Sequence, residues 1–414
     1  MLLTNLYPYA RGEEFIEIEI AYLAEAFDQI IIIPTASTKD SVITRLLPPK
    51  ALLLADDGPA SRRRFSLRHP MVAIGALLRS LRHFPSLRHC LEDFKFDLTA
   101  SRLVNRLAPQ LTALLEEPPT VVFYGYWMQI PARVALALRS RLGLYQSPVI
   151  ARAHRYDLYQ EANPTNYLPQ RKRLLKGLTR VYSVSKDGQD YLRNRYPSYA
   201  PKIDLAHLGV EAATNPANPT QATQLVLSCS YITPIKRLPL LIEALALLQR
   251  RGRSVRWAHL GCGGPGDAYA TQVITQAKAQ LAPDSYTFTG NLTNAAVRTW
   301  LADHPATVFV NVSESEGAPV AIMEALAQGL PIVVTDVGGN RELVDLEGGM
   351  FDGLLNASPT PHEISDRIDY LLSIDEASYR RWVEASLAHW CKEWSSAINF
   401  RRFSTQLAAF SPDS

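Results

Sequence analysis

Between residues 224 and 335 the chain alternates regularly between short apolar runs and stretches of helical period. The runs at 224–228, 255–260, 286–289, 307–311 and 331–335 read as strands. Residues 238–249, 267–281, 295–302 and 320–328 read as the helices between them. Short buried strands separated by helices of about ten residues cannot pair as hairpins, so each crossover returns the chain parallel to its predecessor. A doubly wound parallel sheet follows, and 331–335 is expected to close it. The first half shows the same grammar, with strands expected at 2–5, 30–33, 121–124, 149–151 and 181–184. Helices are expected at 128–142, 170–178 and 186–196. Ile16, Ile20, Leu23 and Phe27 fall on one helical face. Residues 59–117 read as mostly helical with no strand, and 379–410 as helices carrying Trp382, Trp390 and Trp394.

A Pro/Asn/Thr-rich stretch without period, 211–222, separates two such regions. The expected partition is an α/β domain over 1–210, a linker over 211–222, a second α/β domain over 223–390, and a tail from 391 to 414. Ligands of open α/β sheets bind at the carboxyl ends of the strands. A content of 47 % hydrophobic and 20 % charged residues supplies a core for both domains. A net charge of +3 makes no demand for nucleic acid, and none is expected as a partner. The four cysteines, 90, 229, 262 and 391, have no metal-binding or disulfide-framework spacing, as in a reducing compartment. No apolar run is long enough to span a bilayer, and the start reads as mature sequence. The expectation is a cytoplasmic protein, soluble or peripheral on the inner face of the membrane.

The segment Ser313-Glu-Ser-Glu-Gly-Ala-Pro-Val-Ala-Ile-Met-Glu324 carries the chemistry. It follows a strand, so it stands at a sheet's carboxyl edge. Gly317 lets a ligand approach the backbone, and Pro319 suits the first turn of the next helix. That helix start offers N–H groups and partial positive charge to an anion. Two carboxylates eight positions apart, Glu316 and Glu324, suit a polyhydroxylated ligand; alone they would read as solvated acids at a helix start.

The spacing resembles the E-x7-E motif of retaining family 4 glycosyltransferases of the GT-B fold. Thr335-Asp-Val-Gly-Gly-Asn-Arg-Glu342 resembles the segment that follows it in the family. Ser228-Cys-Ser-Tyr-Ile-Thr-Pro-Ile-Lys236-Arg237 resembles the family's loop for the donor pyrophosphate. Tyr182-Ser-Val-Ser185 and Leu208-Gly-Val210 resemble further landmarks. Residues 5–14 and Tyr124-Gly-Tyr-Trp127 resemble a subgroup that builds bacterial surface polysaccharides. The resemblance implies two Rossmann-like domains facing a central cleft, with the last helix crossing back to the first.

It also implies roles. Glu316 would contact the transferred sugar near the reacting centre, and Glu324 the nucleotide ribose. The backbone of Gly317, Ala318, Pro319 and Val320 would touch sugar hydroxyls and phosphate. Lys236 would neutralise the pyrophosphate, and the loop holding Gly290 and Leu292 would receive the base. His154 resembles the family's histidine at the cleft face of the first domain; it would bond the donor sugar or orient the acceptor. Arg155 and Asp157 are weaker acceptor-side candidates. The family's usual arginine five residues before the lysine is here Tyr231. Either Arg237 compensates or the donor is held with one cation fewer.

The implied substrates are a nucleotide-diphosphate sugar, with UDP or GDP as carrier, and a glycan or polyprenyl-linked glycan acceptor. The chain contains no DxD sequence to hold magnesium beside a phosphate, and neither cofactor nor metal is expected. Gly261-Cys-Gly-Gly-Pro-Gly266 matches a dinucleotide fingerprint. It opens the second βα unit of its domain, and no acid ends the following strand, so an oxidoreductase is disfavoured. Another GT-B chemistry, such as epimerase or phosphorylase, fits the paired glutamates less well. The main alternative is a non-catalytic sugar-nucleotide-binding homologue. Finally, residues 60–106 hold ten Lys/Arg against three acids, interleaved with Leu, Phe and Val. This stretch is either a solvated basic face or a contact with an anionic membrane surface.

Overall fold

The computed structural model describes residues 1–9, 13–37, 42–54, 65–66, 69–81, 86–115, 120–213, 218–264, 266–344 and 353–410. The chain divides into two compact units. One comprises Met1–Ala206 with Phe400–Ser414, and the other His207–Asn399. The expected partition placed its divisions after 210 and 390. The observed ones fall at 206/207 and 399/400, the latter within the last helix.

The strands of the first unit are β1 (Leu2–Thr4), β2 (Ile30–Pro34), β3 (Ala51–Leu53), β4 (Phe123–Gly125), β5 (Val149–Ala153), β6 (Arg180–Ser183) and β7 (Ile203–Leu205). They form one parallel sheet in the order β3-β2-β1-β4-β5-β6-β7. Its helices include α1 (Ile16–Ala26), α2 (Pro70–Ser80), α3 (Leu87–Leu114), α4 (Ile130–Arg141), α5 (Arg155–Leu158), α6 (Arg171–Gly177) and α7 (Lys186–Arg195). Every residue of β2 and β5 is buried, as in a parallel sheet covered on both faces.

The second unit repeats the plan with β8 (Leu225–Cys229), β9 (Arg256–Leu260), β10 (Tyr286–Phe288), β11 (Val308–Asn311), β12 (Ile332–Thr335) and β13 (Leu354–Leu355), in the order β10-β9-β8-β11-β12-β13. The intervening helices are α8 (Leu238–Arg250), α9 (Ala268–Gln280), α10 (Asn294–Asp303), α11 (Val320–Ala327), α12 (Asn340–Val344), α13 (Pro361–Ser373) and α14 (Glu376–His389). The helix α15 (Ser396–Ala408) follows a π-helical turn, Trp390–Trp394.

In each sheet the strand order reverses once, between β1 and β4 and between β8 and β11. There the loops part and leave room for a ligand. The expectation that 331–335 closes the second sheet is corrected by β13, which pairs with β12 as an edge strand. The edge strands β3 and β7 were also absent from the expected set. Two or three residues make too short an apolar run to carry a period of their own. The four cysteines are unpaired thiols. A cavity of about 580 Å³ opens at the amino edge of the first sheet, lined by Met1, Leu23, Ile30, Val122, Tyr124 and Leu407 among others. It lies at the strand ends opposite the loops that follow β1 and β4.

Candidate functional site

The reversal point of the second sheet brings together the loops after β8 and β11. A backbone bond from the Glu314 N–H to the Ile235 carbonyl, 2.8 Å, joins them directly. Across this junction the Lys236 ammonium donates to Glu316 Oε1 at 2.6 Å. Asn311, at the end of β11, donates its side-chain amide to the same oxygen at 3.2 Å. Glu316 is 6 % exposed, so its carboxylate is buried but compensated by a cation and an amide.

The turn beneath it is fastened from several sides. The Asn311 side chain accepts from the Ser313 N–H, and the Thr335 hydroxyl donates to the Ser313 carbonyl at 2.6 Å. The Gly339 N–H donates to the Gly317 carbonyl at 2.9 Å. Gly338 adopts φ +52°, and a Cβ there would stand 2.0 Å from the Glu316 carbonyl oxygen. Gly338 is therefore required for the close approach of that turn to the Glu316 loop. Gly261 serves the same need after β9: its φ is +130°, and a Cβ would meet the Ser230 carbonyl oxygen at 2.0 Å. The first glycine of the dinucleotide-like pattern thus packs two neighbouring loops together.

Glu324 lies on α11, 9 % exposed. Burial pushes its carboxyl up to about 7, with the Arg298 guanidinium opposing. The Cys229 thiol, at the end of β8, is pushed up to about 12 by burial first. Glu324 adds to that rise and Lys236 opposes it. Both charges therefore act on the end of β8. Pro319 precedes α11, whose first turn points its N–H groups away from the helix body. Gly290 and Leu292 lie in the loop after β10, and Gly290 bridges Gly261 at the same edge of the sheet. Gly290 has φ +77° with open space where a Cβ would sit.

Arg237 is placed differently from a ligand-facing cation. Its guanidinium donates to the carbonyls of Val312 (2.6 Å), Ser313 (2.8 Å) and Ala357 (3.0 Å). Its backbone has φ +49°, in the left-handed region. Three carbonyl bonds hold it there, so Arg237 clamps the loop that presents Glu316. Tyr231 stands 55 % exposed in the β8 loop.

The remaining candidates belong to the first unit. His154 directly follows β5 and is 7 % exposed, and neither ring nitrogen has a hydrogen-bond partner among the described residues. Its ring lies 4.6 Å from that of Trp127, 4.9 Å from Tyr126 and 5.6 Å from Phe15. Burial, then the Arg152 charge, holds it well below the usual histidine range, so the imidazole is neutral. Arg155 opens α5, half-buried. Asp157 is fully buried and accepts from the backbone N–H groups of His154 (2.6 Å) and Met128. It staples the loops after β4 and β5 to one another.

Two groups escaped the sequence reading. Asn311 had no signal beyond its place at the end of a strand. Glu13 lies in the 5–14 segment and accepts from the N–H groups of Asn5 (2.9 Å), Leu6 (2.6 Å) and Tyr7, and from the Trp127 indole.

With this geometry in place, the chain can be set beside known proteins. Residues 212–388 match the family model of glycosyl transferases group 1. That stretch carries a glycosyl transferase group 1 domain. The chain is 28 % identical over 272 residues to a D-inositol 3-phosphate glycosyltransferase of Frankia alni, covering 61 % of this chain and 65 % of that one. It is 27 % identical over 224 residues to an Escherichia coli K12 protein named for colanic acid biosynthesis as a glycosyltransferase, covering 52 % and 54 %. The matched regions span less than two thirds of those relatives. Among solved structures, Anabaena HepE in complex with UDP superposes with a TM-score of 0.67 at 13 % identity over 99 % of both chains. An E. coli structure described as trehalose-6-phosphate bound with UDP-2-fluoro glucose gives 0.65 at 14 % identity over 98 % of both. The fold is that of the GT-B glycosyltransferases.

Proposed function

We propose that this chain is a retaining, metal-independent glycosyltransferase. It would move a sugar from a nucleotide-diphosphate donor to a glycan or polyprenyl-linked glycan in the synthesis of a bacterial surface polysaccharide. The reaction would run on the cytoplasmic side of the membrane. The observation that carries this reading is the Lys236–Glu316 pair at the reversal point of the second sheet. It sets a cation and a carboxylate side by side where phosphate and sugar hydroxyls must lie together. Supporting it are the family match over 212–388, relatives named for polysaccharide synthesis, and neighbours solved with UDP or UDP-sugars.

In this reading the bond between the anomeric carbon and the phosphate oxygen breaks, and its electron pair leaves with the diphosphate. The acceptor oxygen bonds to the same face of that carbon, and its proton passes to the departing phosphate. Lys236 and the α11 N–H groups stabilise the developing charge, the kind of preorganised electrostatics that often dominates catalysis. Glu316 and Glu324 accept hydroxyl hydrogen bonds from sugar and ribose. A neutral His154 offers one N–H and one lone pair to a hydroxyl. In this reading the donor would be held with one cation fewer than the resembled pattern has, a view supported by the three carbonyl bonds of Arg237. Metal independence rests on the missing DxD sequence.

A thermal-shift panel of nucleoside diphosphates and their sugars tests the reading, since a ligand that binds the native state raises its stability. Donor hydrolysis and transfer are then measured with the stabilising nucleotide sugar. UDP is the first nucleotide to try. Stabilisation that Lys236→Ala removes is the expected result. Full turnover by Glu316→Ala would refute the site. Binding without any turnover would favour the non-catalytic homologue, a reading motivated by the exposed Tyr231.

A further inference from the structure

α2 is built inside out. Its small residues Ala76 and Ser80 are buried against the protein, while its large ones face solvent. Met71 is 77 % exposed and Leu78 63 %, with Ile74, Leu77 and Leu81 exposed beside them. Positions 71, 74, 78 and 81 fall at helical spacing on one stripe. On the first turns of α3, the helix packed against α2, Leu87 is 74 % exposed and Leu91 is exposed too. An exposed apolar stripe of this kind marks an interaction site.

The charge around the stripe is mostly positive, with Glu92 beside Arg88 as the exception. α2 contains no acid, and its Arg79 follows Leu78 on the flank. Arg88 and Lys95 are exposed on α3 between and beyond the leucines. Of the three acids in 60–106, Asp93 and Asp97 are buried and bonded internally. Asp93 accepts from the Tyr167 hydroxyl, and Asp97 pairs with Arg79, Arg133 and Arg173. One carboxylate against three guanidinium groups leaves two positive charges in excess, and Arg79 and Arg173 both reach solvent. Only Glu92 offsets the surface cations among the described residues of this stretch. Arg62, Arg63, Arg64, Arg68 and Arg82 lie outside the described residues.

We propose that the outer face of α2 and the first turns of α3 dock on an anionic bilayer. The apolar stripe would lie at the headgroup–acyl boundary and the cations against lipid phosphates. An eleven-residue helix is too short to cross a bilayer and suits the interfacial plane. A second copy of the chain fits worse. A two-fold contact through this face would set Arg79, Arg88 and Lys95 against their own duplicates. The inference rests on this face alone, so its failure would leave the donor-binding assays above untouched.

The test is flotation of the full chain with vesicles of phosphatidylcholine alone and of phosphatidylcholine with phosphatidylglycerol in equal parts. Binding should be confined to the anionic vesicles and weaken with salt. The triple variant Met71→Ser, Ile74→Ser, Leu78→Ser removes only exposed apolar groups and should lower partitioning on the order of 10²-fold or more. The double variant Arg88→Gln, Lys95→Gln should lower it roughly 30-fold, at about 1 kcal/mol per surface cation. Circular dichroism and nucleotide-induced stabilisation should match wild type in both variants. Absence of wild-type binding to anionic vesicles would overturn the proposal, as would equal binding by wild type and the triple variant. Light scattering that shows a dimer dissolved by the triple variant, without flotation, would assign the face to a second copy and also overturn it.

Discussion

Glu324 offers a prediction that joins stability to function. Its carboxyl is buried on α11 and pushed from 4.5 up to about 7, chiefly by desolvation. The native state therefore holds this proton over a range where the unfolded chain has released it. Stability associated with the protonated form is fully present below the unfolded value and is lost as pH rises through the native one. A shift of this size corresponds to about 3 kcal/mol of lost stability once both states are ionised. Glu324→Gln keeps the shape and removes the ionisation. Without nucleotide, wild type and variant should unfold alike near ~pH 4, and the variant should be more stable by about 2–3 kcal/mol near ~pH 8. Urea denaturation followed by fluorescence across that range measures the difference. A difference independent of pH would refute the reasoning, as would a variant less stable at the alkaline end. If Glu324 also bonds the ribose, the stabilised variant should bind donor more weakly, so a stability gain would accompany a loss of function.

Lys236→Ala should lower donor turnover by roughly 10²–10³-fold, as removal of a preorganised donor does elsewhere, with Lys236→Arg recovering part; steady-state kinetics decides. Glu13→Ala leaves the N–H groups of Asn5, Leu6 and Tyr7 without their carboxylate. At ~1–3 kcal/mol for each unsatisfied group it should cost several kcal/mol, read as a lower denaturation midpoint. Asp97→Ala strips one carboxylate from among Arg79, Arg133 and Arg173 and should cost about 3–5 kcal/mol, whereas Asp97→Asn, which keeps an acceptor, should cost less; a difference scan measures both.

The alternation of buried strands with helices is a local property. Runs such as Ile30–Pro34 and Ile332–Thr335 are wholly apolar or nearly so, because both faces of a parallel sheet are covered. Their period could be read without any contact map. β13 could not, since two edge residues carry no period and are placed only by pairing with β12. The same contrast holds at the site. Glu316, Gly317 and Pro319 sit in one contiguous stretch whose spacing is legible. The bond between Glu316 and Lys236 joins groups 80 residues apart, and it exists because the strand order reverses between β8 and β11.

Arg237 shows the limit most plainly. By sequence it is a cation beside Lys236, free to face an anion. In the fold it is a clamp on three carbonyls, because the loop that presents Glu316 passes over it. The sequence by itself determined the α/β class and the residue types able to meet phosphate and hydroxyl. Hydrophobic period and loop composition act over neighbouring residues, so they can be read along the chain. Which charges meet, which are buried and which face outward, as on α2, was decided by tertiary packing alone. Those outcomes depend on distances between segments far apart in the chain, and no local pattern encodes them.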